Sequence, residues 1–181
     1  TVGVRPTPSA RIPVVIGGGA EPAIRRAARL ADGIFSNASA EDFCVQVQWA
    51  LEECERAGRD PSTFRFIHYS ILLPGASRAD ALARYRDAVW GLSWKYGDME
   101  ASATRPLPPV SPPPFQGPDE RLLRGTAHAG TTDEIVETLL DIRKQAKVAV
   151  EFVARSHLPL LEYDAQLEVM EQLAEGVAPH L

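Results

Sequence analysis

Short apolar runs alternate along this chain with longer stretches whose apolar residues recur every three or four positions. The run IPVVI (12–16) is continuous and β-branched, the pattern of a strand covered on both faces. A helix is predicted from Glu21, with Pro22 at its first position, where a missing N–H removes nothing. Ile24, Ala27, Ala28 and Ala31 form its inward stripe, and Arg25, Arg26 and Arg29 its polar side. DGIFS (32–36) predicts a second strand. Ser39 with Asp42 resembles a capping box, opening a helix to Gly58 that buries Phe43, Val47, Ala50, Leu51 and Cys54. FRFIHYSILL (64–73) is the longest predicted strand, and Ser77 with Asp80 caps a third helix with Leu82, Tyr85, Val89, Leu92 and Tyr96 inward.

The proline-rich segment 104–118, TRPLPPVSPPPFQGP, can be neither helix nor central strand. After it, Thr131 and Glu134 form a capping box for a helix with Ile135, Leu139 and Ile142 in its stripe. VAVEFVA (148–154) predicts a fourth strand, and a closing helix follows with Leu167, Met170, Ala174 and Val177 inward. Residues 1–11 lack periodicity and form a lead-in arm. Strand and helix thus alternate four times, which specifies an α/β fold with a parallel sheet and crossover helices. Four such units are half of an eight-stranded barrel, which takes about 250 residues. A flat four-stranded sheet fits the same pattern.

Composition narrows the classes. At 181 residues, 45% hydrophobic and 24% charged, the chain has ordinary globular composition, read as a single domain over 1–181. A formal charge of -5 argues against nucleic-acid binding, which needs clustered base. No apolar run is long enough to span a membrane as a helix. Cys44 and Cys54 form no CxxC pair and read as buried reduced thiols, which favours a cytoplasmic location. There is no signal-peptide pattern at the start, and a first residue of Thr1 rather than Met leads us to expect a fragment or processed product.

The chemistry of interest begins at GGGAEP (17–22), three glycines between a strand and a helix. The N–H groups at a helix N-terminus lack partners and carry positive partial charge, so a phosphate fits there where no Cβ intervenes. A tight structural turn is the competing reading. The segment has neither the spacing of a dinucleotide fingerprint nor the GK[ST] of a P-loop.

IPVVIGGGAEPAIRRAARLADGIFSN, then ALEECERAGRDPSTF, then AGTTDEIVETLLDIRK before a strand, and finally MEQLAEGVAPHL together resemble the C-terminal half of the bacterial luciferase-like monooxygenase family. The resemblance runs over nearly the whole chain and implies a (β/α)8 TIM-type barrel of which this chain supplies about the C-terminal four βα units. It implies a flavin- or deazaflavin-dependent oxidoreductase, with FMN or coenzyme F-420 as cofactor and a small organic molecule as substrate. With FMN, reduced flavin and oxygen would act on the substrate; with F-420, a hydride would be transferred. The turn after the fifth strand would help to hold the cofactor phosphate, a role falling on Gly17, Gly18, Gly19 and Ala20. The hydroxyl residue that the family often carries there is absent, so backbone contacts would hold the phosphate, and Glu21 would have to point to solvent.

In a barrel the active face lies at the C-terminal ends of the strands, which here are Gly17–Gly19, Ser36–Asn37, Leu73–Gly75 and Arg155–His157. Arg155 and His157, flanking Ser156, are candidate catalytic residues where a cation and a proton-transfer group meet an anionic substrate or the flavin; a solvated loop is the alternative. His68, mid-strand, reads as a hydrogen-bonded core histidine, while His128 and His180 show no partner spacing. No metal motif and no GxSxG is present. Trp90 and Trp94, at i and i+4, read as core or interface packing rather than a substrate wall. The proline-rich segment reads as a loop or lid over the site, with a polyproline ligand as the lesser alternative.

A half-barrel leaves two sheet edges and an inner face uncovered. We therefore expect association with a missing N-terminal half, or homo-oligomerisation. The rival class is a non-catalytic half-barrel interaction domain that binds partners through its proline-rich segment or open sheet edge.

Overall fold

The computed structural model describes residues 8–102, 111–123 and 127–181. Residues 1–7 of the lead-in arm and 104–110 of the proline-rich loop lie outside these. The described strands are β1 (Val15–Gly17), β2 (Gly33–Ser36), β3 (Arg65–Pro74), β4 (Ala127–Gly130) and β5 (Val150–Arg155). The helices are α1 (Glu21–Leu30), α2 (Ala40–Arg56), α3 (Arg78–Ser102), α4 (Thr132–Ala146) and α5 (Tyr163–Gly176), with 3-10 turns at Pro61–Thr63, Asp119–Leu123 and Ala178–His180. Among the described residues, none of the helices is long and apolar enough to cross a membrane.

All strand pairs are parallel, and β3 is the axis of the sheet. Phe66 pairs with Ile34 of β2 on one edge and with Val150 of β5 on the other. The far end of β3, Ile71–Pro74, pairs with β4. This strand was not anticipated from the sequence. β1 lies outside β2, so β1 and β5 are the outermost long-range neighbours.

Alternation along β3 divides the sheet into two unlike faces. Ile34, Phe66, His68, Ser70 and Leu72 are buried on the helix side. Phe43 of α2 meets His68 there at 4.7 Å, and Arg143 of α4 lies 5.7 Å over Phe152. The other face carries Phe35, Arg65, Tyr69, Ile71, Glu151, Val153 and Arg155, all half-buried or exposed, around a buried Ile67. Arg65 and Glu151 pair across it through two hydrogen bonds of 2.7 and 2.6 Å. Helices on one face and a second face left open are the layout of part of a barrel wall, whereas a doubly wound flat sheet is covered on both sides. The chain is α/β, with a parallel sheet and alternating helices.

The predicted stripes of α1 to α4 are buried as expected, apart from a half-buried Leu51 and Tyr96, which is 59% exposed. The closing helix differs. α5 buries Val169, Leu173 and Val177 just beyond its end, while Leu167, Met170 and Ala174, expected inward, are exposed. This helix has apolar residues on two faces, and only Val169 and Leu173 reach the shared core. Between α1 and α2 the buried carboxylate of Glu53 is satisfied by Arg29 at 2.8 Å, Arg56 at 3.1 Å and Arg25 at 3.6 Å.

Candidate functional site

Because the strands are parallel, their C-terminal ends share one side of the molecule, and the glycine turn and Arg155 both lie there. They stand at opposite ends of the sheet, with β2 and β3 between them.

The glycine turn is built for close approach. Gly18 has φ of +146°, a region that residues with a Cβ rarely adopt, and a Cβ on it would lie 3.3 Å from that of Ala23. The Gly19 carbonyl accepts from the Gln46 side-chain Nε2 at 3.4 Å, and the amide oxygen of this buried Gln46 has no hydrogen-bond partner among the described residues. Gly17 to Ala20 are all exposed.

What distinguishes α1 is its missing cap. Ser39, Ser77 and Thr131 accept hydrogen bonds from the first-turn amides of α2, α3 and α4 at 3.2, 3.1 and 3.2 Å. Ala20 offers no side-chain oxygen to α1. Pro22, at the second helical position rather than the expected first, has no N–H, and the Ala23 amide is taken by Ala20 O at 2.9 Å. The Glu21 amide and those of the turn are therefore left to solvent or to an anion. The Glu21 carboxylate is exposed and held by Arg25 at 2.7 Å. α5, which starts well after β5, is also uncapped but follows no glycine turn.

At the other end, Arg155 closes β5. Its Nη1 donates to Tyr69 Oη and its Nε to His157 O, both at 3.0 Å, so Arg155 and His157 are coupled through the backbone. Burial opposes its charge, but the hydroxyls of Tyr69 and Tyr96 outweigh this and raise its pKa. Both residues line a cleft of about 450 Å³ against α3, with Trp94, Tyr96, Met99 and Leu160 as its apolar wall. Leu160 is held at φ of 67°, and its Cδ1 lies 3.0 Å from where a Cβ of Gly91 would be. Tyr69 and Leu160 are not singled out by the sequence, and Tyr96, expected inward on α3, lines the cleft instead; strand alternation from a core-facing His68 puts Tyr69 on the open side.

The remaining candidates resolve individually. His68 is a buried, hydrogen-bonded core residue: its Nε2 lies 3.2 Å from Ala38 O, which can only accept, so Nε2 carries the proton and Nδ1 accepts from Ser70 at 3.0 Å. Burial lowers its pKa, keeping it neutral. His128, in β4, has its Nε2 sealed from solvent without a partner among the described residues. Cys44 and Cys54 are free thiols whose pKa burial raises. Trp90 donates to Pro113 O at 2.6 Å and meets Phe115 at 5.3 Å, so it packs on the described end of the proline-rich loop. Trp94 is half-buried and lines the cleft, so it is not a core residue. Among the described residues, no group of three or more His, Cys, Asp or Glu could hold a metal.

A family model described as luciferase-like monooxygenase matches residues 1–149. Solved structures share the fold. The coenzyme F-420-dependent tetrahydromethanopterin reductase of Methanopyrus kandleri superposes with a TM-score of 0.62 at 19% identity, over 93% of this chain and 51% of that one. A monooxygenase of Streptomyces bottropensis gives 0.64 at 16% identity, over 92% and 47%. A riboflavin lyase solved with modified FMN gives 0.58 at 15% identity, over 88% and 41%. The chain thus spans about half the length of these structures. No curated protein matches its sequence.

Proposed function

We propose that this chain, which belongs to the luciferase-like monooxygenase family, is half of a flavin- or deazaflavin-dependent oxidoreductase, carrying the cofactor-phosphate turn and one wall of the substrate cleft. The observation that carries this reading is the uncapped glycine turn at the C-terminal end of a parallel sheet. Its residues fit a phosphate: the amides lack partners, no Cβ fills the space, and the nearest carboxylate, Glu21, is drawn off by Arg25.

Bound FMN would supply oxygenation of an organic substrate with molecular oxygen, and bound F-420 hydride transfer. The chain's own share is anchorage, orientation and exclusion of water. Gly17 to Ala20 would hold the phosphate through backbone N–H groups. Arg155 would orient the substrate, fixed by Tyr69 and by the His157 carbonyl. His157, exposed at the cleft rim, would exchange a proton with the substrate.

The open face needs closure. Tyr163, Leu167 and Met170 of α5 and Leu30 of α1 are exposed on the flanking helices, which suits four further βα units, from an N-terminal half or a second copy. Partner capture through the proline-rich segment is the weaker reading, because Trp90 and Arg86 already engage Pro113 and Phe115.

Titration with FMN and with F-420, followed by fluorescence, tests the proposal. One cofactor is expected to bind, and Gly18→Asp to weaken it at least tenfold by straining the turn and placing a carboxylate at the anion site. Binding indifferent to Gly18→Asp, or no binding of either cofactor, would remove the anchoring role.

A further inference from the structure

The cleft beside Arg155 has an unusual charge balance. Arg25, Arg29, Arg65 and Arg84 are each paired with a carboxylate. Among the described residues Arg155 meets only the neutral oxygens of Tyr69, Tyr96 and the His157 backbone. A guanidinium carries five N–H donors, so three neutral acceptors leave it with donors to spare and, among the described residues, no counter-charge. Arg155 lines the cleft, and no Asp or Glu does so among the residues whose side chains are described.

The walls are apolar and held in place from both sides. The αL backbone at Leu160 is strained for a leucine, and strain of this kind persists where the surroundings over-determine it. Gly91 on α3 supplies the space that lets Leu160 settle there, since any larger residue would press on its Cδ1. Leu158, fully buried, pins the same loop from below.

We propose that this cleft binds an organic carboxylate with an apolar body, its carboxylate on Arg155 and its body between Trp94, Tyr96, Met99 and Leu160. A planar carboxylate matches the guanidinium fork through two parallel hydrogen bonds and supplies the missing counter-charge. The apolar walls exclude water from that pair and recover the body's hydrophobic transfer energy. Only the identification of this ligand with the substrate rests on the oxidoreductase reading; its binding needs no cofactor.

Octanoate, octanol and octylammonium have one chain and three head groups, and calorimetry with tryptophan fluorescence would compare them. Octanoate is expected to bind saturably and at least tenfold more tightly than either of the others. Arg155→Met should remove most of this preference, Arg155→Lys should keep part of it, and circular dichroism would verify that both variants fold. Gly91→Leu, which leaves the charge intact and displaces Leu160, should weaken octanoate several-fold. No saturable octanoate binding, equal binding of octanol, or an Arg155→Met variant that binds octanoate normally would each overturn the proposal. FMN binding measured in parallel separates the two readings. Octanoate binding without cofactor binding strikes only the oxidoreductase reading, and the reverse strikes only this one.

Discussion

The turn after β1 and the turn after β4 both carry the chain from a parallel strand into a helix, and the amides of the two helix starts meet different fates. After β4, Thr131 accepts from the Glu134 amide at 3.2 Å while Glu134 accepts from the Thr131 amide at 2.8 Å. Gly130 lies beneath that carboxylate, where a Cβ would collide with it. After β1, Ala20 provides no cap and the glycines leave the helix start open. The capped turn has satisfied itself and offers a ligand little. The open turn gives up capping energy of about 1 kcal/mol and keeps its positive end accessible. A helix start that lacks the cap its neighbours have is therefore informative about binding, because nothing in the local fold requires the omission.

The largest expected effect sharpens this contrast from the capped side. His128 enters that turn from β4, and burial, with a smaller contribution from nearby His68, lowers its pKa from 6.5 to about 4. The folded state thus holds a neutral imidazole where the unfolded chain binds a proton. Its stabilisation is complete above pH 6.5 and is lost as pH falls towards 4, by on the order of 3 kcal/mol. His68 acts in the same direction, lowered by burial and partly restored by Ala38 O. Urea unfolding at pH 7 and at pH 4.5 would measure the loss, and His128→Leu should shrink it. An undiminished acid loss in that variant would place the sensitivity elsewhere.

Next in size, Thr131→Ala should cost about 1–2 kcal/mol, since it orphans the Glu134 amide and frees the reciprocal carboxylate. FMN affinity should not change. A parallel loss of affinity in the folded variant would mean that the capped turn also takes part in binding, and the contrast would fail.

The two turns also differ in how they could be read beforehand. Thr131 and Glu134 advertise the capped one by residue type and spacing, and Ser39 and Ser77 do likewise for α2 and α3. At the open turn the glycines are visible, yet the absent cap gains meaning only beside three helices that have one. β4 was illegible because AHAG contains no β-branched residue; it pairs with Ile71–Pro74, where β3 runs on past its ladder with β2, which ends at His68. The stripe of α5 was misassigned because Leu167 and Met170 repeat with the same period as Val169 and Leu173, and periodicity cannot say which set meets the sheet. Arg155 and His157 follow from the strand-end rule. Their setting does not, since Tyr96 and Leu160 line the cleft from α3 and the loop after β5 while Tyr69 of β3 holds Arg155, a grouping that only the tertiary fold brings together.

The smallest effect is the most direct test of the comparison, because it converts the open turn into the capped kind. Ala20 already has the extended geometry of a capping residue, with φ of −77° and ψ of 140°. In Ala20→Ser the new hydroxyl can reach the Ala23 amide; Pro22, one residue nearer, has no N–H to give. The gain should be about 0.5–1 kcal/mol, small because Ala23 already bonds the Ala20 carbonyl at 2.9 Å. The hydroxyl also occupies space in front of the helix start and competes for its partial positive charge, so FMN affinity should fall several-fold while the melting temperature rises. Stability and affinity moving in opposite directions is the signature of a helix end left open for a ligand. If both rise, the serine is itself contacting the phosphate. If only stability rises, the turn is structural and the anion lies elsewhere.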